Sequence, residues 1–396
     1  MKRLDLLIYA HDGRGLGHAS RSVAIGLAVR RLFPELRVLF VSGLKQSASL
    51  IGDGRLDWLK LPAYATRVVN GVSRGWDGNS NFSDRELGAL RSGLIKDIVV
   101  RLKPRCVLSD HMPQGKHREL LPALDAAGSE DNTYWILGMR GVIGDVAGIW
   151  SDAAVSIFNR FYNDILWYGD QNVLGAESPD QIARHFGTRP FATGYVSRLM
   201  EWQHMSPSNR TPQPSLAASV SIPWAGEHTL PLIDALAGVV EHIGSDAGEW
   251  HIYLDSQALG DNVPGVVDRL RRLPHCRLLK PGEGYFSSLM RSRMAIIYGG
   301  YNSLTDLLCA GVPGLVILRD MADQEQQKHL NCLQYRFPSH LLSMHETQCS
   351  QDNLAKNVSR LMTASVGKPA DVRLDGAETA AQRLNQFIVD HRNCFS

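Results

Sequence analysis

Short apolar runs alternate along this chain with longer segments whose apolar residues recur at helical spacing, the pattern of a parallel sheet covered by helices on both faces. In the first half these runs predict strands at 4–10, 36–42, 105–110, 133–138 and 165–169. A second series follows at 216–222, 250–255, 276–279, 294–298 and 313–318. Between them QHMSPSNRTPQPS, 203–215, is polar, holds three prolines and follows neither period, which predicts an exposed linker. A chain of 396 residues also exceeds one ordinary core. The expected organisation is a first Rossmann-like domain over 1–202, the linker, a second over 216–375 and an amphipathic C-terminal helix over 376–396.

Composition narrows the class. With 42 basic against 40 acidic residues, 44% hydrophobic and 21% charged, the chain has the make-up of a soluble globular protein and no general affinity for nucleic acid. Its cysteines, at 106, 276, 309, 332, 349 and 394, form no CxxC pair, which argues against a zinc site or a secreted disulfide framework and for a reducing cytoplasm. The apolar run Leu6 to Ala10 is too short for an export signal and runs directly into a glycine loop, so it is expected to be the first strand. No run approaches the length of a spanning helix.

Two stretches carry the candidate chemistry. In YGGYNSLTDLLCAGVPG, 298–314, a strand ends in Gly299 and Gly300 and hands over to a helix. Glycines there let a phosphate oxygen approach the backbone, with Asn302 or Ser303 expected to cap the helix. Asp306 follows Asn302 by one helical turn, about 6 Å along the axis, the step from a bound phosphate to ribose hydroxyls, which a carboxylate commonly accepts from. The plain alternative is a tight turn with Asp306 as solvated surface charge. In HDGRGLGHASR, 11–21, His18 follows Gly13, Gly15 and Gly17 and precedes a helix expected to start near Ser20. It is a candidate base, donor or phosphate partner, or simply a capping residue. The glycine spacing is not the dinucleotide fingerprint.

Taken together, these motifs resemble the GT-B glycosyltransferases, and within them the MurG-like branch. Its N-terminal GxGGH-type loop corresponds to Gly15, Gly17 and His18, and its C-terminal turn to Gly299, Gly300, Tyr301, Asn302 and Ser303. Asp306 stands where that branch usually has glutamate, and Gly311, Pro313, Glu325 and Gln326 complete the order. GLGHASR, LSDHMPQGKHRELLPAL, ILGMRGVIGD, ILWYGD and TGYVSR also resemble a group of predicted bacterial glycosyltransferases over most of the first half. The resemblance implies two Rossmann-like domains facing each other across a cleft, with the C-terminal helix crossing back to the first. It also implies that Asp306 binds ribose, the glycine turn binds the diphosphate and the glutamine touches the donor sugar. The expected substrates are a UDP- or dTDP-sugar and a small-molecule or lipid-linked acceptor, with peripheral membrane contact by analogy and no cofactor. One departure concerns the first strand of the second half, which ends in SVSIPWAGEH, 219–228, where a small-residue turn is usual. Pro223 removes an amide donor there.

Asp110 and His111 end a strand in LSDH on the first domain's acceptor side. An inverting transfer needs a base to deprotonate the acceptor hydroxyl, and His18 and Asp110 both qualify. Arg21, Arg140 and Asp170 are expected on the acceptor side or as ion pairs fixing loops. Lys280 and Glu283 precede the donor turn, where related enzymes contact the base. FNRFYNDILWY, 158–168, is a candidate floor for an acceptor pocket, set against the commoner reading of an aromatic helix beside a strand as core. No DxD at a strand end predicts a metal-bound diphosphate. The expected activity is metal-independent inverting glycosyl transfer, set against an epimerase or hydrolase on the same fold and a non-catalytic nucleotide-sugar-binding subunit.

Overall fold

A computed structural model describes residues 2–394 apart from 12–15, 65, 70–71, 76–80, 128–131, 145, 147, 206–214, 224–227, 255–263, 283, 320–323, 339, 366 and 368–370. The chain divides into two compact units. The first comprises Met1–Glu201, Met321–Glu325 and Val372–Ser396, and the second Trp202–Asp320 and Gln326–Asp371.

In the first unit, β1 (Leu6–Tyr9), β2 (Val38–Ser42) and β3 (Asp57–Lys60) precede a small antiparallel hairpin of β4 (Thr66–Val69) and β5 (Val72–Gly75). Next come β6 (Cys106–Asp110), β7 (Tyr134–Arg140), β8 (Asp164–Tyr168) and β9 (Phe191–Ala192). Apart from the hairpin they form one parallel sheet in the order β3-β2-β1-β6-β7-β8-β9. The central strands are mainly apolar on both faces because helices cover both, and every residue of β1 and β6 is buried, Ser109 and Asp110 at the end of β6 included. The order reverses between β1 and β6, which register Tyr9 against Ser109. Connections from those two strands leave in opposite directions, opening a crevice at their carboxyl ends.

The second unit repeats the plan. Its strands are β10 (Leu216–Ile222), β11 (Glu249–Leu254), β12 (Cys276–Leu279), β13 (Ser292–Tyr298), β14 (Gly314–Leu318) and β15 (Leu341–His345). They form a parallel sheet ordered β12-β11-β10-β13-β14-β15, with the reversal between β10 and β13. Trp250, Ile252, Ile296, Ile317 and the buried face of the Thr229–Ile243 helix pack in one apolar core.

Two sequence expectations shift. Gln203 to Met205, read as the start of the linker, complete the helix Arg198–Met205, and 206–214 lie outside the described residues. The helix expected near Ser20 begins at Gly17 and runs to Leu32. The aromatic stretch divides into the end of the Asp152–Phe161 helix and β8, with Phe158 packed in the core against Tyr162 and Phe186. The helix Gly376–Cys394 belongs to the first unit and packs on Gly17–Leu32. Arg383 and Arg392 on it pair with Asp164 and Asp5 at 2.8 Å. No helix of the described residues is long and apolar enough to cross a membrane.

Candidate active site

The crevice of the first unit collects residues from three strand ends. His11 follows β1, and the helix starting at Gly17 carries His18 and Arg21 one turn apart. Asp110 closes β6, and Arg140 closes β7. His111 has a left-handed backbone (φ 81°), held by its N–H donating to the Gly138 carbonyl at 2.8 Å. A non-glycine residue rarely adopts that conformation without support from its surroundings. The imidazoles of His11, His18 and His111 form a triangle with ring centres 4.7 to 5.3 Å apart.

Asp110 Oδ2 lies 2.5 Å from His18 Nδ1, and Arg21 Nη2 lies 3.5 Å from Asp110 Oδ1 and 3.2 Å from His18 Nδ1. An ionised carboxylate only accepts hydrogen bonds, so the neutral His18 ring carries its proton on Nδ1 and its lone pair on Nε2. Burial alone would raise the Asp110 carboxyl, but Arg21 and His18 outweigh it and hold the group below the ordinary carboxylate value. Burial lowers the His18 imidazole, Asp110 offsets part of that, and Arg21 and Arg140 lower it further. Burial also pushes His11 and His111 well down, reinforced by the surrounding cations. The result is an ionised carboxylate orienting a neutral imidazole. Among the described residues, both ring nitrogens of His11 are buried and make no hydrogen bond.

Beneath this cluster lies a fully buried ion pair. Arg91 donates from Nε and Nη2 to Glu119 at 2.5 and 2.7 Å, and the Tyr9 and Tyr64 hydroxyls donate to the same carboxylate at 2.5 and 3.2 Å. Tyr9 Oη in turn accepts from the Lys116 amide at 3.2 Å. This network anchors a turn in which His117 (φ 50°) and Arg118 (φ 65°) are both left-handed. His11 and the Arg91–Glu119 pair escaped the sequence analysis. A histidine directly after the first buried strand was the available signal for His11, whereas the pair unites residues distant in sequence.

In the second unit the donor-side candidates gather at the β13 exit. Gly299 donates to the Ile317 carbonyl at 3.1 Å, and Gly300 takes the N-cap position of the Tyr301–Ala310 helix. No side chain fills that cap, which corrects the expectation for Asn302 and Ser303. They occupy the first turn instead, leaving the helix start to backbone amides. Among the described residues nothing lies within 4 Å of where a Gly300 side chain would begin, whereas one on Gly299 would press on Leu318 and Val316 at 3.1 and 3.3 Å. Asp306 is buried at 7% exposure, not a solvated surface charge, and its carboxylate, after burial itself, raises the Tyr285 phenol. Tyr301 stacks with His329 at 5.7 Å between ring centres. Gln326 Oε1 lies against Gly299 and makes no hydrogen bond to a described residue.

Glu325, its neighbour in sequence, groups with the first unit, where its Oε2 lies 2.5 Å from Arg140 Nη2. Asp170 caps the Gln171–Leu174 helix and accepts from the Arg373 amide at 2.8 Å, a loop-fixing role. Lys280 and Pro223 are exposed at the ends of β12 and β10, while Trp224 and Glu283 lie outside the described residues. Among the described residues, no group of three or more His, Cys, Asp or Glu side chains is arranged to hold a metal ion.

Two parallel α/β units, each with a strand-order reversal, define the GT-B fold. No family model matches the chain, and no curated protein matches it in sequence. Solved structures share the fold along the full length. MurG of Acinetobacter baumannii aligns over 99% of this chain and 99% of its own, with TM-score 0.55 and 12% identity. The UDP-GlcNAc 2-epimerase of Methanocaldococcus jannaschii, in complex with UDP-GlcNAc and UDP, aligns over 97% and 99%, with TM-score 0.58 and 9% identity. A UGT transferase from Siraitia grosvenorii, in complex with UDP, aligns over 98% and 100%, with TM-score 0.53 and 14% identity. At these identities the likeness is one of fold.

Proposed function

We propose that the protein is an inverting glycosyltransferase that moves a sugar from a nucleoside diphosphate sugar, a UDP- or dTDP-sugar, to a hydroxyl or amine acceptor. The observation that carries this is the His18–Asp110 contact of 2.5 Å in the crevice of the first unit. Asp110 keeps the proton on Nδ1, so Nε2 is free to take the acceptor proton as the acceptor oxygen or nitrogen attacks the anomeric carbon. The bond from that carbon to the diphosphate breaks, and the leaving group departs with the bonding electrons. On the second unit, the uncapped helix start at 301–303 offers amide donors and a dipole to that charge, a role that needs no metal. Asp306, one turn further along the same helix, suits the ribose hydroxyls. The UDP and UDP-GlcNAc held in two of the structural neighbours support a nucleotide-sugar donor.

The test is product analysis by chromatography and mass spectrometry after incubation with UDP- and dTDP-sugars, with and without a panel of alcohol and amine acceptors. A glycoside of inverted configuration, formed only with acceptor and lost in His18→Ala, is the expected result. An epimeric nucleotide sugar formed without acceptor would establish the epimerase alternative instead. Binding without turnover, indifferent to His18→Ala, would leave a non-catalytic binding subunit.

A further inference from the structure

The exit of β10 poses a problem for the donor site just proposed, because Pro223 supplies no amide where the first strand of such a unit approaches a phosphate. A cation stands on the other side of β13 from it. Arg319 directly follows β14, whose Ile317 carbonyl holds the Gly299 amide, so it emerges next to the glycine turn. Its guanidinium carbon lies 5.9 Å over the ring of Tyr298, the last residue of β13. The Nε of Arg319 contacts Glu346 with both oxygens at 3.3 Å. That is longer than the roughly 2.7–2.9 Å usual for a charge-assisted pair. Among the described residues its two terminal nitrogens make no hydrogen bond, and the side chain is 21% exposed.

A second observation points the same way. Tyr298 is 3% exposed, and among the described residues its hydroxyl has a contact with Thr229 that falls short of full hydrogen-bond geometry. Thr229, a polar neighbour of that hydroxyl, begins the helix that follows the β10 exit. A buried hydroxyl with so slight a partner costs free energy. Its ring lies under a guanidinium whose terminal nitrogens make no hydrogen bond to a described residue, at the reversal point of a parallel sheet. An arginine uses one edge to hold a carboxylate and another to grip a phosphate, which a lysine cannot do.

We propose that Arg319 is a donor-binding residue whose terminal nitrogens grip the diphosphate of the nucleoside diphosphate sugar, with Glu346 setting its orientation and Tyr298 its floor. This rests on the donor role of the second unit stated above. It assigns the charge at this turn to a side chain rather than to backbone amides alone.

Calorimetric titration of the full chain with UDP, dTDP, uridine, thymidine and inorganic pyrophosphate tests it. In Arg319→Ala, affinity for the bound diphosphate and for pyrophosphate falls about tenfold or more, as expected for lost charge-assisted bonds. Nucleoside affinity stays unchanged, and Arg319→Lys recovers only part of the loss. Should Arg319→Ala misfold through an unpaired Glu346, the double variant Arg319→Gln with Glu346→Gln removes both charges, and the same losses are expected. Wild-type diphosphate affinity in these variants overturns the proposal. Pyrophosphate binding that depends on Arg319 without any nucleotide binding upholds the phosphate site and removes the donor assignment. A wild-type chain that binds neither removes both.

Discussion

His18 and Asp110 come from different helix and strand ends, yet Nδ1 and Oδ2 lie 2.5 Å apart, with Arg21 within 3.5 Å of the same carboxylate. Asp110 therefore sets the tautomer of His18 as well as its position.

Replacing that carboxylate by an amide should keep the shape and lose the function. Asp110→Asn is expected to lower kcat about a thousandfold or more, since the amide neither fixes the tautomer nor stabilises the imidazolium. Steady-state kinetics should show KM for the nucleotide sugar little changed. An equal rise in KM would place Asp110 in donor binding instead.

The pH profile follows from the direction of the His18 shift. A base works deprotonated, so activity falls as pH drops through the His18 pKa, which burial and the neighbouring arginines hold below about 6.5. The acid limb of kcat/KM is expected below that value. Arg21→Ala should move it upward by removing a cation that opposes protonation.

Stability has its own acid limb. His11 and His111 are held neutral in the folded chain, whereas in the unfolded chain they take up protons as pH falls below about 6.5. Stability is thus lost on going down from that pH, by about 1.4 kcal/mol per pH unit for each such group until its folded pKa is reached. His11→Phe, which sacrifices no hydrogen bond to a described residue, should flatten the slope of unfolding free energy against pH while leaving stability at pH 7 nearly intact. An unchanged slope would show that His11 titrates normally.

The Arg91–Glu119 pair is wholly buried. Arg91→Met leaves Glu119 charged without its partner and is expected to cost about 3–5 kcal/mol in urea denaturation. Adding Glu119→Gln should recover much of that, because the amide can still accept from Tyr9 and Tyr64. No recovery would mean that the arginine acts through packing alone.

On the donor side, a saturating nucleotide should raise the melting temperature by mass action, about 2.7 kcal/mol at a hundredfold excess over Kd. Asp306→Ala is expected to abolish that response to UDP or dTDP. A retained response would remove Asp306 from the ribose contact.

Much of this architecture is written locally. LDLLIY and MAIIY are short apolar runs bounded by glycine loops, so β1 and β13 announce themselves, and the glycine pair marks the turn that follows. By contrast, β3 is the exposed edge strand DWLK, β9 spans two residues and β15 interrupts its apolar run with Ser343. None shows the continuous apolarity of a doubly covered strand. The site divides in the same way. His18 and Asp110 stand out as polar groups at strand and loop ends, but their contact depends on the reversal between β1 and β6. The empty cap at Gly300 was misjudged because Asn302 and Ser303 are favourable capping residues displaced by only two or three positions. Backbone geometry decided which residue took the place.

The helix Gly376–Cys394 packs on Gly17–Leu32, whose opening residues carry His18 and Arg21. The first unit is thus stitched together from segments far apart in sequence. Substitutions that loosen the helix Gly376–Cys394 would therefore weaken the bracing of His18 and Arg21 from more than 350 positions away, without touching any residue of the histidine crevice.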